Sequence, residues 1–205
     1  MAPLQIAPAG GNLKTIGPHP GRATARILAA AVEEAEATGW YELRLHRVAD
    51  RAGVSLAEVL AHYRDADAIA DALFAAALAE MVAIPPGEVA GLAPSGRAEV
   101  VLMRWFGALA ERRALVGDML RTKRHLSHPH HWVPMAFNLS RLMHWALDAA
   151  RLDARGLARQ AEEVGITLVF LRALSVFPGD DAALTRTRGV LRSGLRVLDR
   201  LPRRA

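Results

Sequence analysis

The chain has 205 residues, of which 52% are hydrophobic and none is cysteine, and its formal net charge at neutral pH is +5. This length suffices for one large or two small domains with a hydrophobic core. The lack of cysteine excludes disulfide frameworks, thiolate catalysis and cysteine-based metal sites, and no apolar run reaches the ~18 residues of a membrane span.

The first 20 residues are rich in proline, glycine and alanine. They have neither the charged start nor the long apolar run of a signal peptide. We therefore predict that residues 1–20 form a disordered arm and that the protein is soluble and cytoplasmic.

The next residues predict one helix and then a motif of two helices joined by a tight turn. Residues 26–39 form the first, amphipathic helix, which Gly39 ends. Within residues 47–63, Gly53 lies where a helix C-terminus needs a positive φ. Ser55 then acts as N-cap, and Glu58 completes a capping box. The second helix has an apolar face formed by Leu56, Val59, Leu60 and Tyr63.

These elements resemble the N-terminal domain of the TetR family of bacterial transcriptional regulators, over residues 22–82. The matching segments are residues 27–31, 39–40, 48–55, 62–63 and 68–69. The resemblance implies an all-α protein with a three-helix, helix-turn-helix DNA-binding domain at 21–65. It also implies a larger helical ligand-binding and dimerisation domain at 66–205, in which residues 66–84 form the connecting helix.

The resemblance places the DNA contacts on the helix-turn-helix and on the preceding helix. We expect these contacts from Arg26, Arg44, Arg47, Ser55, Leu56, Ala57, Ala61 and His62. Two interpretations stay open for His62, a phosphate contact or a partly buried residue at a helix end. Glu58 is either a helix cap or a base reader.

The charge of this domain predicts weak or atypical DNA binding. The second helix of the motif has no lysine or arginine, and residues 21–72 contain six arginines against nine acids, a net charge of −3. DNA-binding domains normally carry a basic surface, because phosphate contacts supply most of the non-specific affinity.

Beyond residue 84 the sequence predicts a linker and then further helices. Residues 85–96, rich in proline and glycine, form the linker. The helices cover residues 97–111, 114–124, 134–151, 154–176 and 181–201. Methionine and aromatic residues in them indicate either ordinary core or an adaptable pocket for a small apolar ligand. The pocket residues would be Met103, Trp105, Phe106, Met119, Trp132, Met135, Phe137, Met143 and His144.

The last two helices are the expected homodimer surface, since a helix with apolar residues on more than one face is buried on more than one face. The alternative is a core within one chain. The expected interface residues are Val169, Phe170, Ala173, Leu191, Leu195 and Leu198.

Two further features carry charge or metal-binding groups. Four histidines lie between His125 and His131, where a solvated loop or a cap over the pocket is favoured over a metal site because the spacing suits no standard tetrahedral geometry.

Arginines recur every four residues in the last helix, which predicts either a solvated face or a surface for an anionic partner. They are Arg188, Arg192, Arg196 and Arg200.

The sequence therefore favours a TetR-like one-component regulator, a homodimer that binds double-stranded operator DNA and responds to a small apolar ligand. No catalytic motif and no cofactor or metal site is predicted. The alternative is a TetR-fold protein without DNA binding that acts as a lipid- or isoprenoid-binding accessory protein, since the acidic first domain and the arginine-rich last helix fit that activity.

Overall fold

The computed structural model describes residues 21–123 and 132–200, and it gives no side-chain detail for residues 122, 123 and 132–137. Within the described residues the chain forms ten α-helices and no strand, so the predicted all-α fold is confirmed. The helices are α1 (Arg22–Thr38), α2 (Leu45–Ala52), α3 (Leu56–His62), α4 (Ala66–Val82), α5 (Pro86–Val89), α6 (Pro94–Ala108), α7 (Arg113–Lys123), α8 (Trp132–Ala149), α9 (Leu157–Val176) and α10 (Thr185–Leu195).

The first three helices form the expected helix-turn-helix unit, residues 21–65. Gly53 takes the left-handed conformation at φ +62° and ends α2, and the Ser55 side chain accepts a hydrogen bond from the Glu58 N–H at the start of α3. Ile27, Val48 and Val59 are fully buried. One residue from each helix therefore contributes to a shared core that fixes the angle between them.

Helix α4 connects this unit to the rest of the chain. Asp65 caps its start by accepting a hydrogen bond from the Ala68 N–H. Its buried residues include Ile69, Leu73 and Met81, and the helix packs against α1, α6 and α8. Because one rigid helix contributes to both cores, a displacement of α6 or α8 reaches the helix-turn-helix unit through α4.

An aromatic cluster, formed by Phe74, Trp105, Phe106, Phe170 and Phe177, fills the centre of the larger helical part. The Trp105 ring lies 5.1 Å from the rings of both Phe106 and Phe170, in edge-to-face geometry. Phe106 lies 5.1 Å from Phe177, and Phe74 of α4 lies 6.0 Å from Trp105. The cluster thus joins α4, α6 and α9, and such pairs add ~0.5–1.5 kcal/mol each beyond the area they bury.

A second connection joins the two parts of the chain between α1 and α7. The carboxylate of Asp118 in α7 accepts a hydrogen bond from the backbone N–H of Trp40, next to the turn that Gly39 makes at φ +89°. Arg112 lies 4.0 Å from the carboxylate of Glu36 in α1. The helix-turn-helix unit is therefore held by α7 as well as by α4.

Two predicted boundaries are wrong. Residues 85–96 are not a plain linker, since Pro86–Val89 forms one helical turn and α6 already begins at Pro94. Proline is favoured in the first turn of a helix, where it lacks only an N–H that has no helical partner. The last helix, predicted for 181–201, begins at Thr185 and gives way at Arg196 to a 3₁₀ segment, Arg196–Arg200.

Helices α9 and α10 approach closely at Gly194. A Cβ atom at this position would lie 2.7 Å from Cγ2 of Val169 in α9, which is shorter than a van der Waals contact. Val169 is β-branched and has one strongly preferred rotamer in a helix, so it cannot easily turn away.

The start of α10 is held by two consecutive aspartates. Asp180 is buried, and its carboxylate accepts hydrogen bonds from the backbone N–H groups of Asp181, Arg186 and Thr187. Burial acts to raise the pKa of Asp180, but these hydrogen bonds to the ionised form outweigh it and the pKa is lowered overall. The carboxylate of Asp181 accepts a further bond from the Thr185 N–H.

No helix among the described residues has both the length and the apolarity to cross a membrane.

We expect the substitution Gly194→Ala to lower the free energy of unfolding by about 1–3 kcal/mol, because the added methyl group overlaps Val169. Urea denaturation followed by circular dichroism measures the change. The matched control is Gly189→Ala in the same helix, where a Cβ meets nothing within 4 Å. This control should be neutral or up to about 1 kcal/mol more stable. The double variant Val169→Ala/Gly194→Ala should be more stable than Gly194→Ala alone. If it is not, the proposed overlap between the added methyl group and Val169 is wrong.

We expect Asp180→Asn to destabilise the protein near neutral pH by about 1–2 kcal/mol, because both carboxylate oxygens accept backbone N–H bonds and the amide nitrogen of asparagine cannot accept. Because the pKa of Asp180 is lowered in the folded state, the ionised group stabilises the fold above its unfolded pKa of ~3.9, and this contribution is lost as the pH falls through the folded pKa. Urea denaturation from pH 6 to pH 3 should show the difference between wild type and variant shrinking at acid pH. A difference that does not change with pH would rule out the ionised cap.

Candidate DNA-binding site

Helix α3 is held against the start of α1 by two polar contacts. The Tyr63 hydroxyl donates a hydrogen bond to the Thr24 carbonyl at 3.2 Å, and burial raises the pKa of Tyr63. Nδ1 of the His62 ring lies 3.0 Å from Oγ1 of Thr24. These contacts, together with buried Val59, fix which side of α3 faces outward.

The outward side of α3 is apolar. Leu56 is 52% exposed and Leu60 is 66% exposed, and Ala57 and Ala61 are exposed beside them. The two leucines border an open groove between the start of α2 and α3, whose lining includes Leu45, His46, Leu56, Ala57, Leu60 and Tyr63.

This arrangement corrects the predicted apolar face of α3. Of the four residues expected there, Val59 and Tyr63 are buried, whereas Leu56 and Leu60 are exposed. At 100° per residue, Leu56 and Leu60 lie to one side of the buried pair. A seven-residue helix that packs on one side cannot cover all four, so Leu60 is a surface residue that the periodicity assigned to the interior.

All eight residues expected to contact DNA are exposed, namely Arg26, Arg44, Arg47, Ser55, Leu56, Ala57, Ala61 and His62. The structure brings Leu56, Ala57 and Ala61 together on one face of α3. His62 is exposed rather than partly buried, and it faces Thr24. Of the expected capping box, the observed part is the bond from the Glu58 backbone N–H to the Ser55 hydroxyl oxygen, and the role of the Glu58 side chain stays a prediction.

Acidic partners neutralise the arginines of α2 and its preceding loop. The carboxylate of Glu34 in α1 is buried, and it lies 2.9 Å from Arg51 and 3.7 Å from Arg47. Arg44 pairs with Glu42 at 3.1 Å. Each pairing reduces the positive field of the surface. Arg22 and Arg26 are exposed near the start of α1.

The residues expected to line a ligand pocket divide into three groups. Met103, Trp105, Phe106, Met119 and Met143 are buried in the helical core. His144 is exposed and its Nε2 lies 3.1 Å from the Glu163 carboxylate, so it lies apart from the buried group and its role in a ligand pocket stays a prediction. Trp132, Met135 and Phe137 belong to α8, but they lie outside the residues whose side chains are described.

The expected dimer residues lie in or against the core of the single chain, which was the alternative for these helices. Phe170, Ala173, Leu191, Leu195 and Leu198 are buried within a single chain, because α9 packs against α10, and Val169 is half-buried beside Gly194. The outward face of α9 is instead an exposed stripe, here called the α9 stripe, formed by Leu157, Ala161, Val164, Leu168 and Leu171.

The expected arginine stripe of the last helix is interrupted. Arg192 and Arg188 approach Glu99 of α6 at 2.9 and 3.9 Å, and the bonded pair with Glu99 raises the pKa of Arg192. Arg196 and Arg200 lie on the 3₁₀ segment, where residues four apart no longer share a face. The four arginines therefore do not form one continuous basic surface for an anionic partner.

The histidine-rich segment, His125 to His131, lies outside the described residues.

Comparison of the fold with solved structures finds TetR regulators over most of the chain. A TetR transcriptional regulator from Nitrosomonas europaea ATCC 19718 has 30% sequence identity and a TM-score of 0.74, with 87% of this chain and 98% of that chain covered. A TetR transcriptional regulator from Rhodococcus sp. RHA1 has 21% identity and a TM-score of 0.62, with coverage of 88% and 97%. A transcriptional regulator of the TerR/AcrR family from Aquifex aeolicus VF5 has 12% identity and a TM-score of 0.54, with coverage of 86% and 99%.

No family sequence model and no curated protein sequence matches the chain. The first structural relative nevertheless combines 30% identity with coverage of nearly its whole length. The chain belongs to the TetR family of transcriptional regulators.

Proposed function

We propose that the protein is a one-component transcriptional regulator, a homodimer that binds operator DNA through α2 and α3 and responds to a small apolar ligand. The observation that carries this proposal is the exposed face of α3, set in a helix-turn-helix unit of a TetR-family chain. In a helix-turn-helix, the second helix of the motif enters the major groove and the first crosses the backbone.

The charges around α3 support weak DNA binding. The guanidinium groups of Arg44, Arg47 and Arg51 have acidic partners at 2.9–3.7 Å, so a phosphate must compete with a carboxylate for each of them. Exposed Arg22 and Arg26, at the start of α1, are the arginines of this unit best placed to meet the backbone. Two protomers would double these contacts, which a domain with a net charge of −3 needs.

The α9 stripe supports dimerisation. Leu157, Ala161, Val164, Leu168 and Leu171 follow one another at four- and three-residue spacing, which is the pattern of a helix-packing seam. Leu157 is 83% exposed and Leu168 is 63% exposed. A second copy related by a two-fold axis would cover the same stripe with its own α9, since such an interface is self-complementary.

The contacts between the two parts of the chain support a response to a ligand. A ligand that separated α6, α7 and α8 would move α4 through the aromatic cluster and would move α7 relative to Trp40. Either displacement changes the position of α3. The ligand shifts the equilibrium between DNA-binding and non-binding forms by its difference in affinity for the two.

We expect the full-length protein to bind DNA from immediately upstream of its own coding sequence at low salt, as measured by fluorescence anisotropy. Arg26→Ala should weaken binding and make the negative slope of log K against log salt shallower by about two, because each protomer loses one phosphate contact. Arg141→Ala in α8 is the control and should leave the slope unchanged. If a folded dimer showed no binding at micromolar concentration, the regulator proposal would be wrong.

We expect Leu168→Lys to convert the dimer to monomer or to weaken it at least tenfold, because it puts a charge into an apolar interface. Light scattering coupled to size-exclusion chromatography measures the mass. Leu92→Lys, at an exposed leucine before α6, is the matched control and should stay dimeric. A dimer of unchanged strength in the Leu168 variant would show that the α9 stripe is not the interface.

A further inference from the structure

We infer that α3 reads thymine, and that Leu56 and Leu60 determine this specificity by contacting the 5-methyl group of the base. The inference rests on the proposed DNA binding and adds to it the class of base pair that the helix prefers. Thymine is the base of unmodified DNA that presents a methyl group in the major groove.

The exposed groups of α3 are aliphatic where a reading helix meets the base edges. Leu56 and Leu60 are one helical turn apart, on the same side of the helix, with 52% and 66% of their surface free. Ala57 and Ala61 beside them are short and exposed. On the side of the two alanines the helix can therefore approach the base edges closely. Two leucines one turn apart can each cover a methyl group on neighbouring base pairs.

Guanine has no equivalent partner on this helix. Its major-groove edge offers two acceptors, N7 and O6, which arginine or lysine normally satisfies with paired donors. α3 contains neither residue type. Glu58 only accepts when ionised, and the His62 ring faces Thr24 at 3.0 Å. A guanine opposite α3 would lose water from both acceptors without gaining a donor, which opposes binding.

The nearby arginines do not replace the missing donors. Arg47 lies on the α2 side facing α1, 3.7 Å from the buried Glu34 carboxylate, and Arg44 donates to Glu42 and to the carbonyls of Tyr41 and Leu43. Turning Arg44 to a base would break its hydrogen bonds, and turning Arg47 to a base would separate it from the Glu34 carboxylate. Discrimination among bases therefore depends on the apolar contacts of α3.

The test begins with duplexes selected from a random library by the full-length protein at low salt. In the best duplex, each thymine is replaced in turn by 2′-deoxyuridine, which pairs identically and lacks only the methyl group. At a contacted position we expect binding to weaken about fourfold, the effect of uncovering one buried methyl group at ~0.8 kcal/mol. At other positions the replacement should have no effect.

The variants Leu56→Ala and Leu60→Ala assign each methyl group to its leucine. Both side chains are largely exposed, so the variants should keep the fold, and circular dichroism checks this. Each variant should lose the fourfold preference for thymine over deoxyuridine at one position in each half-site and keep it at the others. The leucine variant and the deoxyuridine replacement remove the same contact, so their effects on binding are not additive. Leu92→Ala, an exposed leucine outside the helix-turn-helix unit, should keep every preference.

The outcomes separate this inference from the proposed function. A selected duplex that binds equally well with thymine or deoxyuridine throughout would overturn the thymine inference and leave the regulator proposal standing. Guanine-rich selected sites opposite α3 would do the same. A folded dimer that enriches no duplex would overturn the proposed function, and the thymine inference with it.

Discussion

The buried carboxylate of Glu34 is the constraint on which the helix-turn-helix unit depends. A carboxylate removed from water between two helices needs cationic partners, and Arg51 and Arg47 of α2 supply them. This ion-pair group fixes α2 on α1 and thereby sets the direction of α3. It also neutralises positive charge on α2 that would otherwise be available to a phosphate. The same contact thus stabilises the unit and limits its electrostatic attraction for DNA.

Behind this unit, the aromatic cluster packs the larger helical part and also connects it to α4. Trp105, Phe106 and Phe170 interlock at about 5 Å, so α6 and α9 behave as one packed body, and Phe74 extends that body to α4. Trp105 and Phe106, two of the residues expected to line a ligand pocket, are part of this packing. A close-packed core has discrete packings, which turn a small local shift into a change of helix position.

Much of the fold was predictable from the sequence because its signals are local. Gly53 and Ser55 mark helix ends through their own backbone and side-chain chemistry, and both act as expected. The exposed or buried state of Leu60, Phe170 and Leu191 was not predictable. Periodicity shows that a helix has apolar faces, but which face meets its own chain depends on the packing of distant helices. The break in the arginine stripe at Arg196 has the same origin, since Glu99 and the 3₁₀ geometry enter only with tertiary structure.

The hydrogen bond between Asp118 and residue 40 is made from a side chain on one partner and from the backbone on the other. Every residue type except proline offers that backbone N–H, so the bond does not depend on the indole of Trp40, which is buried in the core. Replacing the Asp118 carboxylate removes the acceptor, whereas replacing Trp40 removes core packing and keeps the donor. The connection can therefore be lost through a change in α7 alone, without altering the core of the helix-turn-helix unit.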